Sequence, residues 1–186
     1  MNLANKLTLF RVALVPFFVA ALGSSWHLIA LILFAVASVT DMLDGRIARK
    51  YNQITDFGKF LDPLADKILV AAALIGMVER GYTWAWLVWV VIAREFLVSG
   101  VRLVAAGSPQ KLVIAANIWG KLKTASTMVA ICVVLFLHAL VDFGVDVPLL
   151  QPISNVLMIL CAVLTVISGI TYLWDYRGIW RSAGEE

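Results

Sequence analysis

Residues 41–66 read DMLDGRIARKYNQITDFGKFLDPLAD and lie beside long apolar runs. Within them, Asp41 and Asp44 are three residues apart, and Asp62 and Asp66 are four apart. On a helix, either spacing places both members of a pair on one face. An unpaired carboxylate in so apolar a setting costs several kcal/mol, so these side chains need a compensating charge. The sequence therefore predicts two helices that each present two carboxylates to a metal ion.

The chemistry of the aspartates indicates which ions they suit. Carboxylate oxygens at this density favour Mg²⁺ or Mn²⁺, because zinc prefers cysteine and histidine. Two such ions would stabilise the attacking and leaving oxygens of a phosphoryl transfer. Gly45 and Gly58 share the acidic faces, four residues from Asp41 and Asp62, and would let a bulky ligand approach the backbone. A lone aspartate at a helix end is more often a cap or a salt-bridge partner, but four aspartates with two such glycines favour a metal site.

The amino-acid composition indicates an integral membrane protein. Of the 186 residues, 62% are hydrophobic and the mean hydropathy is +0.92, whereas soluble domains use roughly 45–50% apolar residues. Six apolar runs are each close to the about 20 residues that a membrane-spanning helix needs. We therefore expect an all-α protein with six transmembrane helices, forming one membrane domain over residues 1–186. The predicted helices lie at about residues 3–22, 26–51, 56–78, 83–106, 120–140 and 153–174.

Two of these helices leave an alternative open. In the first, Asn5, Thr8 and Arg11 recur every three residues and form a polar stripe, which we expect to face protein or a water-filled cavity. A signal peptide is the alternative there, but Arg11 and the five further runs speak against it. In the third, the helix begins either at Asp56, with a kink at Pro63, or just before that proline. The length that a span requires favours Asp56.

The basic residues predict the orientation of the chain in the membrane. With six spans, most of them fall on one side, and the turns on the opposite side contribute only Arg80. The positive-inside rule then places both termini and the carboxylates of residues 41–66 at the cytoplasmic face of a cell (inner) membrane. His27, His138 and Asp142 fall at the outer ends, where we expect interfacial histidines and a solvated aspartate rather than catalytic groups. The clustered basic residues are Lys6, Arg46, Arg49, Lys50, Lys59, Lys111, Lys121, Lys123, Arg177 and Arg181.

The spacing of the acidic stretch resembles the signature of a known family. The pattern Asp41-x2-Asp44-Gly45-x2-Ala48-Arg49-x8-Gly58-x3-Asp62-x3-Asp66 matches every position of the CDP-alcohol phosphotransferase signature. The resemblance implies a six-helix membrane enzyme, usually a homodimer with no nucleic-acid partner. Such enzymes use divalent metal to move a phosphatidyl or related group from a CDP-linked donor to an alcohol, and CMP leaves.

The resemblance also implies roles for individual residues. Asp41, Asp44 and Asp62 would be metal ligands, and Asp66 would be both a ligand and the base that deprotonates the attacking hydroxyl. With two ions bound, the metals would offset the charge of the diphosphate. The residues that would hold the donor, CDP-diacylglycerol, are Asn5, Thr8, Gly45, Arg49, Thr55 and Gly58.

Further motifs resemble those family members whose acceptor is glycerol 3-phosphate. They are Asn5-x2-Thr8-x2-Arg11, Arg94-Glu95 and Gly120-Lys121-Leu122-Lys123-Thr124. A phosphate dianion needs cations, so we expect its pocket to contain Arg94, Arg102 and either Lys121 or Lys123. The two lysines face nearly opposite ways on a helix, so only one is expected to reach the phosphate. A structural salt bridge between Arg94 and Glu95, for instance across a dimer, is the alternative for that arginine.

Two other functions compete with this interpretation. A member of the same family could use another acceptor, such as serine or an inositol phosphate. A cation transporter could also carry acidic residues within its membrane spans. The transporter predicts carboxylates near the bilayer midplane that are accessible from both sides, whereas the aspartates of this chain cluster toward one face. That distribution favours the enzyme.

Overall fold

A computed structural model describes the backbone of residues 3–50, 56–107 and 118–175. The described side chains exclude those of 3–5, 42–50, 56–63, 66, 102–107 and 175. Within these limits the chain is helical, and the fold class predicted from the sequence is confirmed as all-α. The helices are α1 Leu3–Gly23, α2 His27–Lys50, α3 Asp56–Glu79, α4 Ala85–Gly107, α5 Ile118–Asp142 and α6 Leu150–Asp175.

The helix boundaries agree closely with those expected from the apolar runs. The third helix begins at Asp56 and continues to Glu79, which confirms the longer of the two alternatives for α3. Three helices, α1 from Lys6 to Gly23, α5, and α6 from Leu150 to Trp174, combine the length and the apolarity that crossing a membrane requires. The purely apolar part of α2 is shorter, from His27 to Asp41. That α2, α3 and α4 also cross the membrane stays a prediction.

The distribution of polar and apolar side chains fits a lipid environment. Large apolar side chains are exposed on several helices, whereas buried positions include hydroxyl, guanidinium and ammonium groups. In water this arrangement would be unfavourable, but in a bilayer apolar groups face the lipid and polar groups turn inward. The chain is therefore a membrane protein. Exposed examples are Phe17, Ile32, Val129 and Val163, and buried examples are Thr8, Arg11, Lys123 and Ser168.

The helices group into two compact units, of which the first comprises Met1–Tyr82 and Ile131–Pro152. In this unit α1 packs against both α2 and α3. The buried rings of Phe18 and Phe34 join α1 to α2, with their centroids 5.8 Å apart. Gly76 allows α3 to approach α1, because a Cβ at that position would lie 2.5 Å from Leu22 Cδ2. Any larger residue at position 76 would have to push Leu22 aside.

A cluster of polar side chains in the first unit joins the ends of three helices, α2, α3 and α5. His27 Nδ1 lies 2.7 Å from Asp142 Oδ2, and His27 Nε2 lies 2.5 Å from the Tyr82 hydroxyl. A carboxylate only accepts hydrogen bonds, so His27 Nδ1 carries a proton and donates it to Asp142. The Tyr82 ring lies against His138, at 3.6 Å between centroids, and Arg80 Nε donates to the Tyr82 hydroxyl. Asp142 is exposed, as the sequence predicted, and it is also the partner of the buried His27.

The second unit comprises Thr83–Ala130 and Ile153–Glu186. Here α4 and α6 share a small apolar cluster in which Val98 and Val101 meet Tyr172. Each of the three side chains is almost completely buried. That residues 1–186 form one membrane domain stays a prediction.

Removal of the Asp142 carboxylate tests the polar cluster of the first unit. We expect Asp142→Ala to lower the free energy of unfolding by about 1–3 kcal/mol, because a buried histidine loses a charged hydrogen-bond partner. The matched control is Asp146→Ala, since Asp146 is an exposed aspartate near the same helix end and surface substitutions usually change stability by less than about 0.5 kcal/mol. Thermal unfolding of both purified variants in detergent measures the difference. Equal melting temperatures for the two variants would contradict the role of Asp142.

Candidate functional site

The four aspartates predicted to bind metal all belong to helices of the first unit. Asp41 and Asp44 lie on α2, and Asp62 and Asp66 lie on α3. The backbone is helical at all four positions, so the predicted spacings of three and four residues do place each pair on one helical face. The side chains of Asp44, Asp62 and Asp66 lie outside the described residues. Among the side chains that are described, no three potential metal ligands lie together, and the metal cluster stays a prediction.

Asp41 is paired with a buried arginine. Its Oδ1 lies 2.6 Å from Arg11 Nη1, and the side chains of Asp41 and Arg11 are 32% and 1% exposed. A guanidinium that is almost fully removed from solvent requires such a counter-charge. Thr8, one turn earlier on α1, is also fully buried. The predicted polar stripe therefore does face protein at Thr8 and Arg11, while the side chain of Asn5 lies outside the described residues.

The ion pair with Arg11 leaves Asp41 chemically able to bind a divalent cation. A carboxylate has two oxygens with about four lone-pair directions, of which Arg11 engages one oxygen. Oxygen donors of this kind are those that Mg²⁺ and Mn²⁺ prefer. The one described aspartate of the set thus fits the predicted ion. The sequence indicated a buried Arg11, but helical spacing could not show that Asp41 is its partner.

The structure describes only some of the residues predicted to hold the donor. Thr8 is the one whose side chain is described, and it is buried on α1. Four of the others lie on helices whose backbone is described, with side chains outside the described set. They are Asn5 on α1, Gly45 and Arg49 on α2, and Gly58 on α3. Thr55 falls outside the described residues altogether.

The second unit brings together two cations of the predicted acceptor site and the carboxylate of Glu95. Lys123 Nζ on α5 lies 2.5 Å from Glu95 Oε1 on α4, and Arg94 Nη1 lies 3.1 Å from the same oxygen. The Lys123 side chain is 3% exposed and that of Arg94 is 12% exposed. Lys121, in contrast, is exposed. The structure thereby shows that Lys123 is the lysine directed at α4. The side chain of Arg102 lies outside the described residues.

Arg94 is also held by α6. Its Nη2 donates to Ser168 Oγ at 2.5 Å, and Ser168 is buried. Glycines border it on two helices: a Cβ at Gly169 would lie 3.4 Å from Arg94 Cγ, and one at Gly120 would lie 3.8 Å from Nη2. Within this unit the arginine is therefore enclosed by α5 and α6. Nothing in the sequence pattern singled out Ser168, because serines are common within apolar helices.

The electrostatic balance of this group suits an anion. Two cations share one carboxylate, so Arg94, Glu95 and Lys123 together carry a net charge of +1. The Arg94 to Glu95 ion pair that was the structural alternative does form, and it forms within one chain. Arg94 Nε is buried and has no hydrogen-bond partner among the described residues. An unsatisfied buried donor costs about 1–3 kcal/mol, which an anionic oxygen would relieve.

Comparison with known proteins identifies the family. The family model described as CDP-alcohol phosphatidyltransferase matches residues 1–167. A similar protein is the CDP-diacylglycerol–glycerol-3-phosphate 3-phosphatidyltransferase of Bacillus subtilis, at 43% identity over 94% of this chain and 93% of the relative. The proteins of the same name from Haemophilus influenzae and Salmonella typhimurium are 38% and 37% identical, over 95% of this chain and 94% and 96% of theirs. The resemblance drawn from residues 41–66 is thereby confirmed, and the chain belongs to the CDP-alcohol phosphatidyltransferase family.

Proposed function

We propose that this chain transfers the phosphatidyl group of CDP-diacylglycerol to glycerol 3-phosphate, giving phosphatidylglycerophosphate and CMP. The observation that carries the proposal is the identity of 37–43% to relatives that bear this activity in their names, over nearly the whole length of both chains. A cation transporter has no counterpart among these relatives. The paired cations Arg94 and Lys123 support an acceptor that carries a phosphate group.

The reaction breaks the phosphoanhydride bond of the donor and forms a phosphate ester bond with the acceptor. A hydroxyl oxygen of glycerol 3-phosphate attacks the phosphorus that bears diacylglycerol, and the bond from that phosphorus to the CMP oxygen breaks. Asp66 accepts the hydroxyl proton as the attack proceeds, so no strongly basic alkoxide has to form first. The electrons of the broken bond leave with CMP.

The four aspartates would hold divalent ions in this reaction. The family generally uses divalent metal ions, and we infer that Asp41, Asp44, Asp62 and Asp66 bind two ions of Mg²⁺ or Mn²⁺. Such ions, when bound, neutralise the charge that develops on the diphosphate oxygens. Arg11 fixes the Asp41 carboxylate through the ion pair at 2.6 Å, so that ligand is already oriented before any ion arrives.

The two substrates would be held by different sets of residues. Arg49 provides a planar guanidinium that can bind a phosphate of the donor through two parallel hydrogen bonds, and Gly45 and Gly58 leave room for the nucleotide. The other donor residues are Asn5, Thr8 and Thr55. Arg94, Arg102 and Lys123 would hold the phosphate of the acceptor. Lys121 drops out of this set because its side chain is exposed.

The placement of the enzyme follows the distribution of basic residues. We infer six membrane spans in a cell (inner) membrane, with both termini and the aspartates at the cytoplasmic face. Glycerol 3-phosphate would then arrive from the cytoplasm, while the acyl chains of the donor stay in the bilayer. We also infer that the enzyme is a homodimer, as its family is usually dimeric.

An acceptor panel tests the proposed function directly. Purified enzyme with CDP-diacylglycerol and Mg²⁺ should release CMP when glycerol 3-phosphate is added. Serine and inositol phosphate should give little release, because they do not match the cation group of the second unit in both charge and shape. A preference for either of them would replace the proposed acceptor.

Chelation tests the role of the metal. EDTA should abolish CMP release, and added Mg²⁺ or Mn²⁺ should restore it, because the carboxylates alone cannot neutralise the diphosphate. Asp41→Asn and Asp62→Asn should lose activity that a modest excess of metal does not recover. Asp146→Asn is the control, as an exposed carboxylate in the connection between α5 and α6. Full turnover in EDTA would contradict a metal-dependent mechanism.

Substitution of the proposed base separates catalysis from binding. Asp66→Asn should lower kcat by roughly 10²- to 10⁴-fold, the usual effect of losing a general base. Substantial binding of CDP-diacylglycerol should remain, as measured by equilibrium binding of the labelled donor. Near-normal kcat in this variant would exclude Asp66 as the base.

The two lysines of α5 form a matched pair for the acceptor site. Lys123→Gln should raise the KM for glycerol 3-phosphate by about tenfold or more, the effect of losing about 1.4 kcal/mol of binding. The KM for CDP-diacylglycerol should hardly change, because of the two substrates only the acceptor would contact that cation. Lys121→Gln should leave both constants near the wild-type values, since its side chain is exposed. Equal effects of the two substitutions would contradict the assignment of Lys123.

A further inference from the structure

Glu95 is a carboxylate in the middle of a site that has to bind an anion. Its Oε1 accepts hydrogen bonds from Lys123 Nζ at 2.5 Å and from Arg94 Nη1 at 3.1 Å. A negative charge placed there opposes the binding of a phosphate dianion by simple Coulomb repulsion. Its presence therefore needs a reason beyond the affinity for the acceptor.

Burial of the two cations supplies that reason. Lys123 and Arg94 are 3% and 12% exposed, and the long side chains approach the same oxygen from different helices. Two like charges this close repel each other, and each also loses most of its hydration. A carboxylate shared by both cations offsets much of their mutual repulsion and of their lost hydration. Without it the ammonium and the guanidinium would move apart and toward water.

The arrangement also fixes the direction of the arginine. Arg94 is held at Nη1 by Glu95 and at Nη2 by Ser168, so the plane of its guanidinium is set at two points. The third nitrogen, Nε, has no hydrogen-bond partner among the residues that the structure describes. A guanidinium whose two terminal nitrogens are oriented in advance loses less conformational entropy when it binds a phosphate.

On the basis of the proposed function, we propose that Glu95 is a positioning residue for the acceptor. It holds Arg94 and Lys123 at a fixed separation and direction, and thereby prepares the pocket for the phosphate of glycerol 3-phosphate. It touches neither the reacting hydroxyl nor the donor. Removing the Glu95 carboxylate should therefore weaken the binding of the acceptor. Electrostatics alone would give the opposite result, because loss of a negative charge favours an anionic ligand.

Steady-state kinetics of Glu95→Gln on the full-length enzyme test this proposal. Glutamine keeps the length and one acceptor oxygen but loses the charge. The KM for glycerol 3-phosphate should rise by about tenfold or more, while the KM for CDP-diacylglycerol stays within about twofold. Glu95→Asp, which keeps the charge on a shorter side chain, should recover part of the loss. Glu79→Gln is the control, because Glu79 is an exposed glutamate at the end of α3.

Binding measured without turnover provides a second test. Glycerol 3-phosphate should raise the melting temperature of the wild-type enzyme in detergent, and the rise should be much smaller for Glu95→Gln. If the Gln variant does not fold, the Asp variant decides, since an unchanged KM for glycerol 3-phosphate in Glu95→Asp overturns the proposal. A lower KM in Glu95→Gln also overturns it, because the carboxylate would then only compete with the phosphate. So does a loss of thermal stability with no change in KM.

These outcomes separate the positioning role from the proposed function. If the wild-type enzyme releases no CMP with glycerol 3-phosphate, the proposed function itself fails. If it does, and Glu95→Gln matches the wild type in the KM for glycerol 3-phosphate, only the role of Glu95 fails. The first result is measured on the wild-type enzyme and the second on the Glu95→Gln variant, in the same assay.

Discussion

Each unit of this protein contains a buried cation that forms an ion pair with a carboxylate. In the first, Arg11 meets Asp41, and in the second, Lys123 meets Glu95. An ion moved out of water and left unpaired costs several kcal/mol or more, which is a large part of the stability of a small protein. The helices that carry these groups must therefore pack in the register that brings the charges together. Apolar packing alone, as between Phe18 and Phe34, has no such directional requirement.

The same pairs connect stability to function. A carboxylate that neutralises an arginine can still offer its second oxygen to a metal ion, so Asp41 can serve both partners. A cation already bound to a carboxylate is different, because an anionic ligand competes with the carboxylate for the same donors. The proposed acceptor site then needs more hydrogen-bond donors than its internal ion pairs use. Arg94 provides them, since a guanidinium has five N–H groups and the contacts with Glu95 and Ser168 involve only its terminal nitrogens.

The sequence predicted the parts of this structure that depend on one helix at a time. Apolar runs gave the helices, the length of a span placed the start of α3 at Asp56, and spacing gave the buried side of α1 at Thr8 and Arg11. Apolar runs and residue spacing could not predict the contacts between helices. Helical periodicity assigns a face, but the rotation and depth of the neighbouring helix decide which residue meets it. For this reason the choice of Lys123 over Lys121, the contact of Arg94 with Ser168 and the pairing of His27 with Asp142 came only from the structure.

The two cations at Glu95 are not equivalent, and the difference follows from helix geometry. Arg94 and Glu95 are adjacent on α4, and adjacent residues point about 100° apart, so the arginine must fold back to reach Oε1 at 3.1 Å. Lys123 comes from another helix and reaches the same oxygen at 2.5 Å. The lysine therefore makes the shorter ion pair and is the more deeply buried of the two. Arg94 therefore makes the longer of the two contacts with Glu95, and Ser168 holds its other terminal nitrogen.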